Sequence, residues 1–107
     1  MKTGDVVLIP FPFAELNAVK ARPAVVICTT SDKFHDLVVS AISSVISGES
    51  YSNEFTISPD GSNGLRVPSL VKVDRIVTGQ ASSVIVKLGE LSAQDRQRFI
   101  AIFRSLV

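Results

Sequence analysis

The sequence predicts a mainly β protein, a small, strongly bent antiparallel sheet or barrel with one helix packed on it. Three observations predict it. Apolar and β-branched residues fall into short runs set apart by Pro, Gly, Asn and Ser. Only one stretch, at the C-terminal end, has helical spacing behind a capping signal. No internal repeat, low-complexity tract or linker divides the chain, so residues 1–107 read as one domain.

The elements follow in order. Residues 5–10, Asp-Val-Val-Leu-Ile-Pro, read as a buried strand, and a loop over 11–22 contains Pro12 and Asn17. Residues 23–29 form a second strand opened by Pro23, since a missing N–H is tolerated at a first position. Residues 37–43 are a third strand and the alternating Glu-Phe-Thr-Ile of 54–57 a short fourth. Asp60-Gly-Ser-Asn-Gly64 is dense in residues that accept positive φ and reads as a turn. Residues 69–78 are a fifth strand, and 84–87 a short sixth or a helical turn.

The helix is expected over 92–106. Ser92-Ala-Gln-Asp95 has the form of a capping box with Asp in the place of Glu or Gln. Phe99, Phe103 and Leu106 recur at four- and three-residue spacing, with Ile100 and Val107 widening the stripe.

Composition bounds the function. With 46% hydrophobic and 20% charged residues the chain is of the globular class. Eleven Lys and Arg against ten Asp and Glu leave a formal charge of +1, so nucleic-acid binding requires a local cluster of cations. The single cysteine, Cys28, cannot form an internal disulfide, and no signal-peptide pattern opens the sequence; both point to the reducing cytoplasm. The longest apolar stretch, 6–13, is interrupted by Pro10 and Pro12 and is too short to span a bilayer.

Three segments carry a family resemblance. Gly4-Asp-Val-Val-Leu-Ile-Pro-Phe-Pro-Phe13 resembles the opening strand of the MazF/PemK toxins. Lys20-Ala-Arg-Pro-Ala-Val-Val-Ile27 is similar to that family's second-strand motif. Ser69-Leu-Val-Lys-Val-Asp-Arg-Ile-Val-Thr78, followed by Lys87-Leu-Gly-Glu-Leu-Ser92, resembles its last core strand and the approach to its final helix. In this order they span nearly the whole chain. The resemblance implies an SH3-like barrel, a homodimer and the toxin of a type II toxin–antitoxin system. It further implies an endoribonuclease that cuts single-stranded RNA sequence-selectively with no metal or cofactor, held by a cognate antitoxin with an acidic, flexible segment. Contact with DNA is implied only through the antitoxin complex.

Metal-free RNA cleavage proceeds by attack of the adjacent 2′-hydroxyl on phosphorus, giving a 2′,3′-cyclic phosphate and a 5′-hydroxyl. The negative charge that develops on the phosphoryl oxygens calls for fixed cationic donors. The family's catalytic Arg falls on Arg22, whose planar fork matches two phosphate oxygens. Its catalytic Thr or Ser falls on Ser43, a hydroxyl able to hold a phosphate oxygen or relay a proton. Ser44 alternates to the opposite face. Asn17 stands where some members carry a Glu, and Glu15 lies in the same loop as its nearest substitute. Lys20, Glu15, Asn17, Ser44, Lys72 and Arg75 complete the expected RNA-binding set.

Each position also has a plainer reading. Lys72, Asp74 and Arg75 suit an outward strand face with cross-strand ion pairs. Cys28, among Val and Ile, suits core packing, and His35 suits a polar loop. Phe11 and Phe13 suit core capping as well as base stacking, and Asp5, Glu54 and Asp74 have no metal-ligand spacing. Two other functions use the same barrel: a CcdB-type poison that binds gyrase through the C-terminal helix end, and a catalytically weak member that only binds RNA or antitoxin.

Overall fold

The computed structural model describes residues 1–12 and 19–107, except for the side chains of 11, 12 and 19. Six strands, β1 (Asp5–Pro12), β2 (Val19–Thr29), β3 (Leu37–Ser43), β4 (Glu54–Ile57), β5 (Ser69–Gly79) and β6 (Val86–Glu90), precede one helix, α1 (Ala93–Arg104). All pairings are antiparallel and the strand order is β4-β5-β3-β2-β1-β6. The outermost strands β4 and β6 do not pair with each other, so the sheet curls as a half-barrel without closing.

The curl has identifiable causes. Between Ser40–Ile76 and Ala41–Lys72 the β3–β5 register shifts, leaving Val73, Asp74 and Arg75 of β5 unmatched on β3. An irregularity of this kind bends the strand and sharpens its twist. The backbone groups it releases are satisfied: Val73 N–H donates to the Asn53 carbonyl at 3.0 Å, and the fully buried Ser40 hydroxyl donates to the Val73 carbonyl at 2.8 Å. A bulge at Ile27 bends β2, and a second, at Leu88 opposite Val6 and Val7, bends β6.

Both faces of the curled sheet carry apolar cores. Val6, Val25, Ile27, Ile42, Phe55, Val71 and Phe99 lie in one cluster, covered by α1. Val7, Ile9, Ala24, Val26, Leu37 and Val39 make the other. Neighbours such as Val6 and Val7 thus enter different cores, which is why β1 is an unbroken apolar run and not an alternating one. The helix starts as expected: the Ser92 hydroxyl accepts from Asp95 N–H at 3.2 Å, and Phe99 is only 1% exposed. The Arg98 guanidinium lies 4.8 Å from the centre of the Phe55 ring.

The expected elements appear, with four corrections. β1 runs on to Pro12 and β2 begins at Val19, so residues 11, 12 and 19–22 of the expected 11–22 loop are strand, paired from Pro10–Ala21 to Pro12–Val19. Pro23 therefore sits inside a strand. It is tolerated because the β2–β3 ladder stops at Ala24–Ala41, next to the residue with no N–H to continue it. The sixth strand starts at Val86 behind a short 3-10 turn at Ala81–Ser83, two residues later than expected. Cys28 is exposed and not in a core, because it follows the Ile27 bulge close to the end of β2.

One ionic network ties the N-terminal segment to β6. The Asp5 carboxylate, on a residue 2% exposed, accepts from the Lys2 backbone N–H at 2.9 Å and from Lys2 Nζ at 3.0 Å. Lys87 Nζ approaches it at 3.4 Å, and Lys2 also reaches Glu90. Burial pushes the Asp5 carboxyl up, but the Lys2 hydrogen bonds and the two lysine charges outweigh it and hold the group below its ordinary value.

Candidate functional site

The antiparallel hairpin of β2 and β3 sends the start of one strand and the end of the other to the same edge of the sheet. Arg22 and Ser43 each lie two positions beyond the last paired residues, Ala24 and Ala41, so both side chains start on one face. The Ser43 hydroxyl accepts from Val45 N–H at 3.1 Å, which fixes the turn after β3 and leaves its own O–H free to donate elsewhere.

At this edge lies an open cleft of about 420 Å³. Its walls are mostly aliphatic, formed by Leu8, Pro23, Ile42, Leu65, Val67 and Leu88. Its polar side chains are Arg22, Ser44, Arg66 and Ser69. Among the described residues, no carboxylate lines it. Ser44 lines the cleft on the same side as Ile42 and Ser43 does not, so Arg22 reaches into the cleft beside Ser44 although its Cβ starts on the face of Ser43. Arg22 is half-buried there.

Arg66 is the residue that sequence reasoning missed. It stands in the loop between β4 and β5, which is locked to β6. Asn63 is fully buried; its amide donates to the Ser58 carbonyl at 2.9 Å and its Oδ1 accepts from Leu65 N–H at 3.0 Å. The Asp60 carboxylate accepts from the N–H groups of Ser62 and Asn63 at 2.8 Å each, and Glu90 N–H donates to the Ser62 carbonyl at 2.8 Å. Gly64 has φ +71°, and a Cβ there would lie 2.1 Å from the Leu88 carbonyl oxygen; a Cβ on Gly89 would lie equally close, 2.1 Å, to the Ser62 carbonyl oxygen. The turn composition of 60–64 was legible. Its contact with β6, which brings Arg66 to Arg22's cleft, was not.

The other expected residues lie elsewhere. Lys20 is exposed on β2 opposite Phe11 and does not line the cleft. Glu15, Asn17 and Phe13 lie outside the described residues, as does the side chain of Phe11. Lys72 and Arg75 line a separate depression of about 450 Å³ with Tyr51, Asn53, Glu54 and Asp74. Lys72 pairs with Glu54 across β4 and β5, but neither it nor Arg75 forms a salt bridge among the described residues. The Asp74 carboxylate instead accepts from the Asn53 amide at 3.3 Å. His35 is exposed on the β2–β3 loop, at the far end of the hairpin from Arg22. Among the described residues no three His, Cys, Asp or Glu side chains are grouped to hold a metal ion, and no helix is long and apolar enough to cross a membrane.

Comparison with known proteins gives this fold its context. Solved structures that share it include the following three. "Mycobacterium tuberculosis toxin MazF-mt6" aligns with a TM-score of 0.67 at 19% identity, over 94% of this chain and 93% of that one. "Endoribonuclease in complex with its cognate antitoxin from Mycobacterial species" aligns with a TM-score of 0.71 at 16% identity, over 98% and 92%. A third, an "Mtb toxin", aligns with a TM-score of 0.65 at 18% identity, over 95% and 99%. Comparison with curated proteins finds no match. The family model described as "PemK-like, MazF-like toxin of type II toxin-antitoxin system" matches residues 2–106, nearly the whole sequence. The chain belongs to the PemK-like, MazF-like toxins of type II toxin–antitoxin systems.

Proposed function

We propose that this toxin is an endoribonuclease that cuts single-stranded RNA without a metal, by attack of the 2′-hydroxyl on the adjacent phosphorus. The observation that carries the reading is that Arg22 and Ser44 line one cleft free of described carboxylates, with Ser43 at the same sheet edge. Such an edge can receive a phosphate, and an acidic wall would repel one.

The roles follow from the donors. Arg22 offers two parallel N–H groups to the non-bridging oxygens as negative charge develops on them. Ser43, whose lone pair is engaged by Val45 N–H, donates its O–H to a phosphate oxygen and orients it. Ser44 meets the strand in the cleft. Lys20, Lys72 and Arg75 act as outer contacts along the RNA path, where exposed cations contribute little each.

The same reading includes partners. One of the solved structures is an endoribonuclease in complex with its cognate antitoxin. An acidic, flexible antitoxin segment laid on the Arg22 edge would set carboxylates where RNA sets phosphates. Exposed Ile76, Ile85 and Val86, at 41%, 56% and 46%, are apolar area that a homodimer would cover.

The test is cleavage of a mixed-sequence RNA in EDTA by the wild type and by Arg22→Ala. Products ending in a 2′,3′-cyclic phosphate are expected from the wild type only. Intact RNA, or cleavage that depends on added metal, would refute the reading.

A further inference from the structure

Resting on that reading of the Arg22 edge, the geometry points to Arg66 as a second phosphate contact. It grips the nucleotide whose base lies on the aliphatic floor of the cleft. Arg66 lines the same cleft as Arg22 and Ser44, yet it comes from a loop remote in sequence from both. It is exposed and makes neither hydrogen bond nor ion pair with a described residue, so no described contact engages its guanidinium.

The loop that carries it is built for rigidity. The buried Asn63 amide, the Asp60 carboxylate and the Ser62–Glu90 backbone bond hold residues 60–65 in place. The two glycines press this loop against β6 with no room for a Cβ at either contact. Arg66 therefore starts from a fixed backbone, and binding orders only its side chain.

The floor explains the nucleotide. Leu8, Ile42, Leu65 and Leu88 offer flat aliphatic contact to one base out of its stack, within about 420 Å³. Few side-chain donors reach the floor, and the Ser69 hydroxyl already donates to the Val67 carbonyl at 3.0 Å. The cleft thus holds a base by contact area and discriminates weakly between bases by hydrogen bonding. Two guanidinium groups at its rim then span successive phosphates, with Arg22 at the scissile one and Arg66 at the next.

The experiment measures KM and kcat on a defined RNA for the wild type, Arg66→Ala and Arg66→Lys. It also measures the Kd of the same oligonucleotide with a 2′-deoxy residue at the cut, at several salt concentrations. Arg66→Ala is expected to raise KM about tenfold, with the loss falling mainly on KM. The slope of log Kd against log salt should fall by about 0.7, the value for one single-strand phosphate contact. Arg66→Lys should keep the salt slope while recovering only part of the affinity, because an ammonium replaces the charge but not the fork. Removing the base of the cleft nucleotide should raise KM in the wild type, and exchanging it for another base should change KM little. An unchanged KM and salt slope in Arg66→Ala, alongside normal wild-type cleavage, would overturn the Arg66 assignment alone. A wild type that neither binds nor cuts RNA would overturn the reading on which it rests.

Discussion

Two of the depressions with arginine at their walls differ in what surrounds the cation. Around Lys72 and Arg75 stand Glu54 and Asp74, with Tyr51 and Asn53, on a polar surface. Around Arg22 and Arg66 stand aliphatic residues and two serines, with no described carboxylate. In the first, an arriving anion meets negative charge beside the positive charge and stays hydrated. In the second it meets cationic donors on a partly dry wall, where each contact is stronger. The lesson is that counting cations does not find a site; counting the acids beside them does. A formal charge of +1 is compatible with a strong anion site, provided the acids lie elsewhere.

The sharpest way to break this comparison is to remove Arg22. Arg22→Ala should lower kcat by about 10²–10³, the cost of losing one charge-stabilising donor, with far-ultraviolet circular dichroism unchanged. Arg22→Lys should rescue poorly. Full activity in Arg22→Ala would remove the distinction between the two depressions.

Gly64→Ala tests the scaffold of the same cleft. Positive φ and the Leu88 carbonyl oxygen both oppose a Cβ, so urea unfolding should show a loss of at least about 2 kcal/mol. Wild-type stability would show that the loop is not locked to β6.

Ser43→Ala should slow cleavage about tenfold, as expected for one hydrogen bond to a charged group, and Ser43→Thr should keep most of the rate. Ser44→Ala should act mainly on KM. If Ser44→Ala takes the larger share of kcat, the cleft-facing serine and not Ser43 holds the reacting phosphate.

Asp5→Asn should cost about 1–3 kcal/mol at neutral pH, since it weakens charged hydrogen bonds to a buried oxygen. The Asp5 carboxyl is held low in the folded state, so its stabilisation is present above the unfolded value of about 3.9 and is lost as pH falls through the folded value. Urea midpoints of wild type and Asp5→Asn should therefore converge as pH falls below the ordinary Asp range. A gap that persists there would reject the ionic account.

The smallest effect is expected from the acid-flanked depression. Lys72→Ala and Arg75→Ala should each change KM by less than about threefold, as exposed charges do. A tenfold rise from either would move the main RNA path to that face.

Much of this architecture was legible because local chemistry dictated it. The unbroken β1 run, the Glu54–Ile57 alternation and the Ser92 cap each appear where their residues place them. What was not legible depends on contacts between distant residues. The exposure of Cys28 follows from a bulge at Ile27, and the bend at Val73–Arg75 depends on Ser40, far away in sequence. Pro23 marked a strand start by its own chemistry, but β1 carries the pairing past it to Val19. The position of Arg22 and Ser43 at one edge follows from a hairpin that could be read directly. Arg66 joins them only through the packing of Gly64 and Gly89 against their partners, which no short motif encodes.

The most direct test of the central claim is a single-turnover assay in EDTA, comparing an all-RNA oligonucleotide with the same sequence carrying one 2′-deoxy residue at its cut site. Cleavage of the first to a 2′,3′-cyclic phosphate, no cleavage of the second, and neither reaction in Arg22→Ala is the result predicted. Cleavage of the 2′-deoxy oligonucleotide at the same bond, or a wild-type rate in Arg22→Ala, would contradict it.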